Sequence, residues 1–258
     1  MLWESIDPTI ALTDRFGFPG AADADLFLAQ TLRSDWGRRV QRCDQLVISA
    51  SNLLAWLTVA GENVLAKCSV DRARFARLAQ VDALVAWLNS QGIPVASPIA
   101  ASDGRLRIER DRFSIGLYPV ISGDLLDVGD AGQLEAAGRT FATLHDALAA
   151  YPFGVGDDRC EPNQQLVHGD FRSANVLQVD GSITAVLDFD DVVVGSRIAD
   201  LARAAVLLGT RYHDWGPTSP QTREAFVRAY CSVAPLTDLQ HDELHHSVRK
   251  VLNHFGWT

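Results

Sequence analysis

Residues 166–188, LVHGDFRSANVLQVDGSITAVLD, set a His, an Asp, an Arg and an Asn inside a frame of Leu and Val. Aliphatic runs on both sides mark the frame for burial, and buried charge is costly unless it has a partner or a chemical task. The pieces QLVHGD, NVLQV and ITAVLDF are short and β-leaning, and Asp180-Gly181 separates the last two as a turn. The chain must therefore build a strand, a polar loop and a hairpin here. Asp170 and Asn175 flank the loop, Asp188 ends the hairpin, and Asp190 and Asp191 follow.

The flanking sequence divides in two. In the first half, residues 22–36 read as an amphipathic helix, followed by three β-leaning runs, QLVISAS, LLAWLTVA and NVLAKCSV. Ala60-Gly61-Glu62-Asn63 is the hairpin turn between the last two. From Asp71 to Gln91, Phe75, Leu78, Val81, Leu84, Val85 and Leu88 recur at helical spacing, with Asp71 as N-cap and Gly92 and Pro94 beyond the end. RLRIER and FSIGLYPVI add two strands, and a lobe boundary is expected near 119–123. The second half is mainly helical, over 133–149, 197–209, 220–232 and 238–254. These elements predict an α+β, two-lobed protein: residues 1–120 an antiparallel sheet with one long helix, residues 121–258 mainly α-helical, and a ligand cleft between them.

At 258 residues and 47% hydrophobic, the chain suits one large domain or two lobes. No apolar run is long enough to cross a bilayer, and MLWESIDPTIALTDRF has no signal-peptide order. Cysteines 43, 68, 160 and 231 have no close spacing, which predicts free thiols and a cytoplasmic protein. Residues 1–120 carry 13 charges of each sign, whereas 121–258 carry 10 basic and 19 acidic, so the whole net charge of −9 falls in the second half. That balance argues against nucleic acid as a partner and suits metal ions and cationic ligands.

Lys67 lies on a predicted strand among Leu, Ala and Cys, and only it and Lys250 are lysines among 23 basic residues. Where Arg is the default cation, such a Lys suggests a need for a compact point charge. Phosphoryl transfer needs a Lys for the α/β-phosphates, a carboxylate for the acceptor hydroxyl, and an Asn and an Asp as oxygen ligands to Mg²⁺. HGDFRSAN reproduces the H-x-D-x-x-x-x-N spacing that serves this chemistry in protein kinases.

HGDFRSAN followed by AVLDFDDVVVGSRIADLARA resembles the aminoglycoside phosphotransferase/choline kinase-like family, whose fold is similar to that of protein kinases. Gly195 and Asp200-Leu201-Ala202 fill later positions of that pattern, and SASN at 49–52, GIPVASPI and Leu144-His145 extend it. The resemblance implies Asp170 as catalytic base, Arg172 reaching the γ-phosphate or facing outward in an ion pair instead, and Asn175 and Asp188 on Mg²⁺. It implies Lys67 on the α/β-phosphates of ATP (GTP not excluded), with Ser49, Ser51, Asn52, Tyr118 and Val120 completing the nucleotide set. His168 would hold the catalytic loop, while Asp200 would tie that loop down and cap its own helix. Two departures stand out. The nucleotide loop has no G-x-G-x-x-G, and residues 71–91 contain no Glu to orient Lys67, leaving Asp82 or Gln80 as substitutes.

The acceptor expected from the acidic second half is an amine-bearing alcohol, aminoglycoside-like or an amino sugar, contacted by Asp190, Asp191, Asp214, Asp242, Glu243 and Trp257. His241, His245 and His246 read as surface residues rather than metal ligands. Homoserine- or choline-type kinase activity is the same-class alternative. A non-catalytic nucleotide-binding pseudokinase is another, and a phosphohydrolase built on DFDD leaves Lys67 unexplained. A monomer or homodimer without membrane partners is expected.

Overall fold

A computed structural model describes residues 6–153, 164–212 and 214–257, so Cys160 lies outside the described residues. The chain packs as two compact units. One runs to Ala86 and takes in Ala96–Val120; the other takes Trp87–Val95 and the chain from Ile121.

The first unit opens with α1 (Pro8–Ala11), a π-helical turn over Leu12–Phe16 and α2 (Ala21–Asp35). Its five-stranded antiparallel sheet comprises β1 (Val40–Ile48), β2 (Asn52–Val59), β3 (Glu62–Ser69), β4 (Arg107–Arg110) and β5 (Phe113–Pro119), in the order β1-β2-β3-β5-β4. Alternation along the strands sorts the faces. Leu53, Ala55, Leu57, Val59, Val64, Ala66, Cys68, Ile115 and Leu117 point into a core closed by Ala24, Leu28 and Leu32 of α2. Residues between them, Lys67 included, point the other way. The β2–β3 turn is only Ala60 and Gly61, both at positive φ (52° and 83°), tighter than the four-residue turn expected.

α3 (Phe75–Ser90) follows a 3₁₀ turn over Arg72–Arg74, and Asp71 caps that turn by accepting from the Ala73 N–H. Gly92, at φ 79°, ends the helix, and the Ile93 N–H closes back on the Leu88 carbonyl.

The second unit carries β6 (Asp124–Leu125), α4 (Ala131–Ala150), β7 (Gln165–Val167), β8 (Val176–Val179), β9 (Ser182–Val186), β10 (Val193–Gly195), α5 (Arg197–Leu207), α6 (Pro220–Cys231) and α7 (Asp238–His254). Strands β6, β8 and β9 form one small sheet and β7 with β10 another. The β8–β9 turn is Asp180-Gly181, as the sequence predicts. Stacked rings of Phe141, Phe171 and Phe226 join α4, the loop after β7 and α6. Helix α1, the π turn, β6 and β10 were not anticipated. Among the described residues no helix is long and apolar enough to cross a membrane.

Candidate active site

The chain leaves β7 through His168-Gly169-Asp170, and the Asp200 carboxylate holds that loop by two backbone N–H groups and joins it to α4 by a third contact. Asp200, buried in the first turns of α5, accepts from the N–H of His168 (3.0 Å), the N–H of Gly169 (3.1 Å) and His145 Nε2 (3.1 Å). Gly169 sits at φ 82°, and a Cβ on it would lie 2.7 Å from the Asp191 carbonyl oxygen, so no other residue fits this bend. Arg203 Nε donates to the Gly169 carbonyl at 2.8 Å from the next turn of α5. Asp200 does not cap its helix: the Ser196 hydroxyl does, accepting from the Ala199 N–H. Asp200 lies four residues past that N-cap, its oxygens committed to the loop and to His145.

His168 joins the loop to the end of the hairpin. Its Nδ1 accepts from the Asp170 N–H (3.2 Å), which leaves Nε2 protonated and donating to the Leu187 carbonyl (3.1 Å). Burial holds this imidazole below its ordinary value of 6.5, consistent with a neutral ring. The Leu187 N–H in turn donates to the Asn175 carbonyl at 2.8 Å. Asp188 is thereby tethered beside Asn175. It is exposed, at φ 61° and ψ 68°, a left-handed conformation unfavourable for a residue with a Cβ.

The Asp170 carboxylate is oriented by two neighbours. Arg172 Nε donates to both oxygens at 2.9 Å, and Asn175 Nδ2 donates to Oδ2 at 2.8 Å and to the Asp170 carbonyl at 2.9 Å. The pair is largely buried, with side chains 13% and 9% exposed. Arg172 is thus paired inward with Asp170, whereas the ion pair expected of it faced outward. Its Nη1 is buried without a hydrogen-bond partner among the described residues, and its guanidinium carbon lies 5.3 Å over the Trp215 ring.

The expected acceptor residues scatter. Trp257 stacks on Phe255 at 4.6 Å, and Phe255 lies 5.9 Å from Trp215, so an aromatic row leads from the C-terminal end of α7 to Arg172. Asp214 is exposed beside Trp215, and Asp190 and Asp191 follow Asp188 in a 3₁₀ turn. Glu243 does not join them: its Oε1 accepts from the Ser196 hydroxyl at the start of α5. Glu243 stands eleven positions before His254 on α7, roughly 16 Å along the axis. Glu243 and its neighbour Asp242 therefore stand far from Trp257. Among the described residues no three His, Cys, Asp or Glu gather as a metal-binding group, and His241, His245 and His246 are exposed on α7.

A buried relay behind the loop was missed. Arg197 Nε donates to the Tyr230 hydroxyl, which donates to His145 Nδ1 at 2.8 Å, fixing the tautomer that serves Asp200. Leu144-His145 was a visible signal; nothing in the sequence singled out Tyr230 or Arg197.

In the first unit, the turn from β1 to β2 holds Ser49, Ser51 and Asn52. The Ser49 hydroxyl accepts from the Asn52 N–H at 3.2 Å, the Ser49 N–H donates to the Asn52 carbonyl at 2.9 Å, and the Ser51 carbonyl accepts from Val70. The Val120 N–H donates to the Asn63 carbonyl at 3.0 Å. The Tyr118 hydroxyl reaches Asp82 of α3, an acid whose electrostatic surroundings include Lys67.

The arrangement defines a class before it suggests a relative: a kinase-like fold whose second unit offers a fixed carboxylate, an Asn and a second Asp on a rigid loop and hairpin. Residues 156–244 match the sequence pattern of the phosphotransferase enzyme family. Solved structures share the fold. A microcompartment-associated aminopropanol kinase is 18% identical over 90% of this chain and 89% of its own, with a TM-score of 0.68. A spectinomycin phosphotransferase in complex with ADP and its antibiotic is 15% identical over 90% and 87%, TM-score 0.64. A macrolide 2′-phosphotransferase from Brachybacterium faecium is 19% identical over 87% and 88%, TM-score 0.62. No curated protein sequence matches. The match to that family covers about a third of the chain, and over most of its length the chain shares the fold of the aminopropanol kinase, of the antibiotic phosphotransferases and of a choline kinase from Cryptosporidium parvum.

Proposed function

We propose that this protein is an Mg·ATP-dependent kinase of a small-molecule hydroxyl, with Asp170 as the base. The observation that carries this reading is the double restraint on Asp170 by Arg172 and Asn175, in a loop that Asp200 and His168 lock to the hairpin ending at Asp188. Asp170 orients the acceptor hydroxyl and takes its proton as the oxygen attacks the γ-phosphorus and ADP departs. Lys67 pairs with the α/β-phosphates, and the β1–β2 turn with Ser49, Ser51 and Asn52 offers backbone N–H groups to the nucleotide. Tyr118 and Val120 complete that set.

The donor chemistry fits magnesium. Asn175 spends Nδ2 on Asp170, which leaves Oδ1 as a ligand oxygen, and Asp188 presents an exposed carboxylate beside it; both are the hard donors Mg²⁺ prefers. When bound, the ion neutralises phosphate charge.

The acceptor reading is an amine-bearing alcohol, supported by Asp190, Asp191 and Asp214 and by the likeness to a kinase named for aminopropanol. The test is ADP release from Mg·ATP against a panel of amino alcohols, amino sugars, aminoglycosides, homoserine and choline. Acceptor-stimulated turnover that collapses in Asp170→Asn is expected. Stimulation by no panel member, with ATP binding intact, would favour the pseudokinase, and turnover undiminished in the variant would remove the base.

A further inference from the structure

The first unit holds a buried ion pair, Arg107 with Asp82, that the proposed reaction leaves unassigned. Lys67 is paired with Gly116 across β3 and β5, and Gly116 with Arg107 across β5 and β4. Directly opposed residues of antiparallel strands share a face, so two cations flank a glycine in one row. A Cβ at Gly116 would lie 2.6 Å from the Tyr118 hydroxyl and 2.9 Å from Arg107 Nη2. The missing side chain is what lets the guanidinium lie over the row. Asp82, the only acid of α3, reaches the cluster from the helix. Its Oδ2 accepts from Arg107 Nε at 2.7 Å and its Oδ1 from Arg107 Nη2 at 3.5 Å and from the Tyr118 hydroxyl. Tyr118 also accepts from Arg107 Nη2 at 2.8 Å, and Arg107 Nη1 donates to the Ser114 carbonyl at 3.3 Å. The side chains of Arg107 and Asp82 are only 3% and 2% exposed. Burial raises the Asp82 carboxyl, opposed by Arg107, by Tyr118 and by the charge of Lys67.

We propose that Arg107, with Tyr118, is a positioning residue for Lys67. An Asp is one methylene shorter than the Glu absent from α3, and a short acid steers a lysine only if its own carboxylate is fixed. The guanidinium fork and the phenol fix it, by charge-assisted hydrogen bonds of defined geometry. The cluster also carries two cations for one carboxylate, so it presents net positive charge to a polyphosphate. Arg107 acts through Asp82 and Lys67, without touching the nucleotide. This inference rests on the role of Lys67 given under Proposed function.

Binding of Mg·ATP and of adenosine, measured by calorimetry at pH 7.5, tests it in wild type, Lys67→Ala, Arg107→Lys and Tyr118→Phe, and in each of the last two combined with Lys67→Ala. Arg107→Lys keeps the charge but loses the fork; Tyr118→Phe removes one hydroxyl and serves if the lysine variant fails to fold. Each single variant is expected to weaken Mg·ATP, by about tenfold for Arg107→Lys, with adenosine unchanged in Arg107→Lys and Lys67→Ala and weakened less than Mg·ATP in Tyr118→Phe. Neither is expected to weaken it further once Lys67 is gone, because residues acting as one unit are non-additive. Equal losses for ATP and adenosine, full additivity with Lys67→Ala, or no effect on ATP would overturn the proposal. If Lys67→Ala itself left Mg·ATP binding intact, the assignment of Lys67 would fall and this inference with it.

Discussion

At Asp170 the side chain is held by Arg172 and Asn175. One cationic donor covers both oxygens and one amide covers a single oxygen. Asn at this position keeps the size and loses the proton-accepting charge. Asp170→Asn is expected to lower acceptor-stimulated turnover by about 10²–10⁴-fold while ATP-induced thermal stabilisation persists; loss of both together would point to a damaged fold instead. Gly169 is constrained more by backbone than by chemistry. Gly169→Ala must place a methyl against the Asp191 carbonyl at positive φ, and a loss of about 1–3 kcal/mol in denaturant melts is expected. These residues were legible because their order and spacing are local. Arg172 was legible as a cation, but its partner was not, since sequence does not say which way a side chain turns.

Among the elements, α5 separates the two tasks expected of Asp200, the bonds to the loop being present and the helix cap falling to Ser196. Asp200 stands near a helix start, where an acid is commonly a cap, yet three N–H groups from the loop and from α4 already converge on it. The nearby Ser196 does the capping. The two roles separate by mutation. Ser196→Ala is expected to cost about 1 kcal/mol of stability with little change in turnover. Asp200→Asn leaves one acceptor oxygen for three donors and is expected to cost about 3 kcal/mol and to reduce turnover as the loop loosens. Stability measured by urea melts alongside turnover checks both, and the reverse ranking would return the cap to Asp200. The long strands and helices were visible through period and turn residues. β6, of two residues, and β10, of three, are too short to display a period and exist through tertiary pairing. The relay through Tyr230 likewise joins α4 to α6 across 85 residues of sequence, beyond any local pattern.

Over the whole molecule, the asymmetry of charge was plain in the sequence, but the asymmetry of titration was not. His145 and His168 both lie fully buried in the second unit, and burial holds each imidazole below its ordinary 6.5. The unfolded chain therefore binds protons that the folded unit refuses. Stability is complete above about pH 6.5 and drains away as the pH falls from there toward the folded values. Each group contributes at most about 1.4 kcal/mol per pH unit, so the two together give a slope of up to about 2.7 kcal/mol per unit. Thermal or urea melts between pH 7.5 and 5.5, above the range in which ordinary carboxylates titrate, are expected to show this loss. His168→Asn keeps a polar side chain at the loop without an ionisable ring, and its stability is expected to fall about half as steeply over the same window, whatever its value at pH 7.5. A wild-type stability flat across that range would mean that the buried imidazoles take up protons without cost, and the neutral tautomers that link Asp200, His145 and the loop after β7 would have to be abandoned.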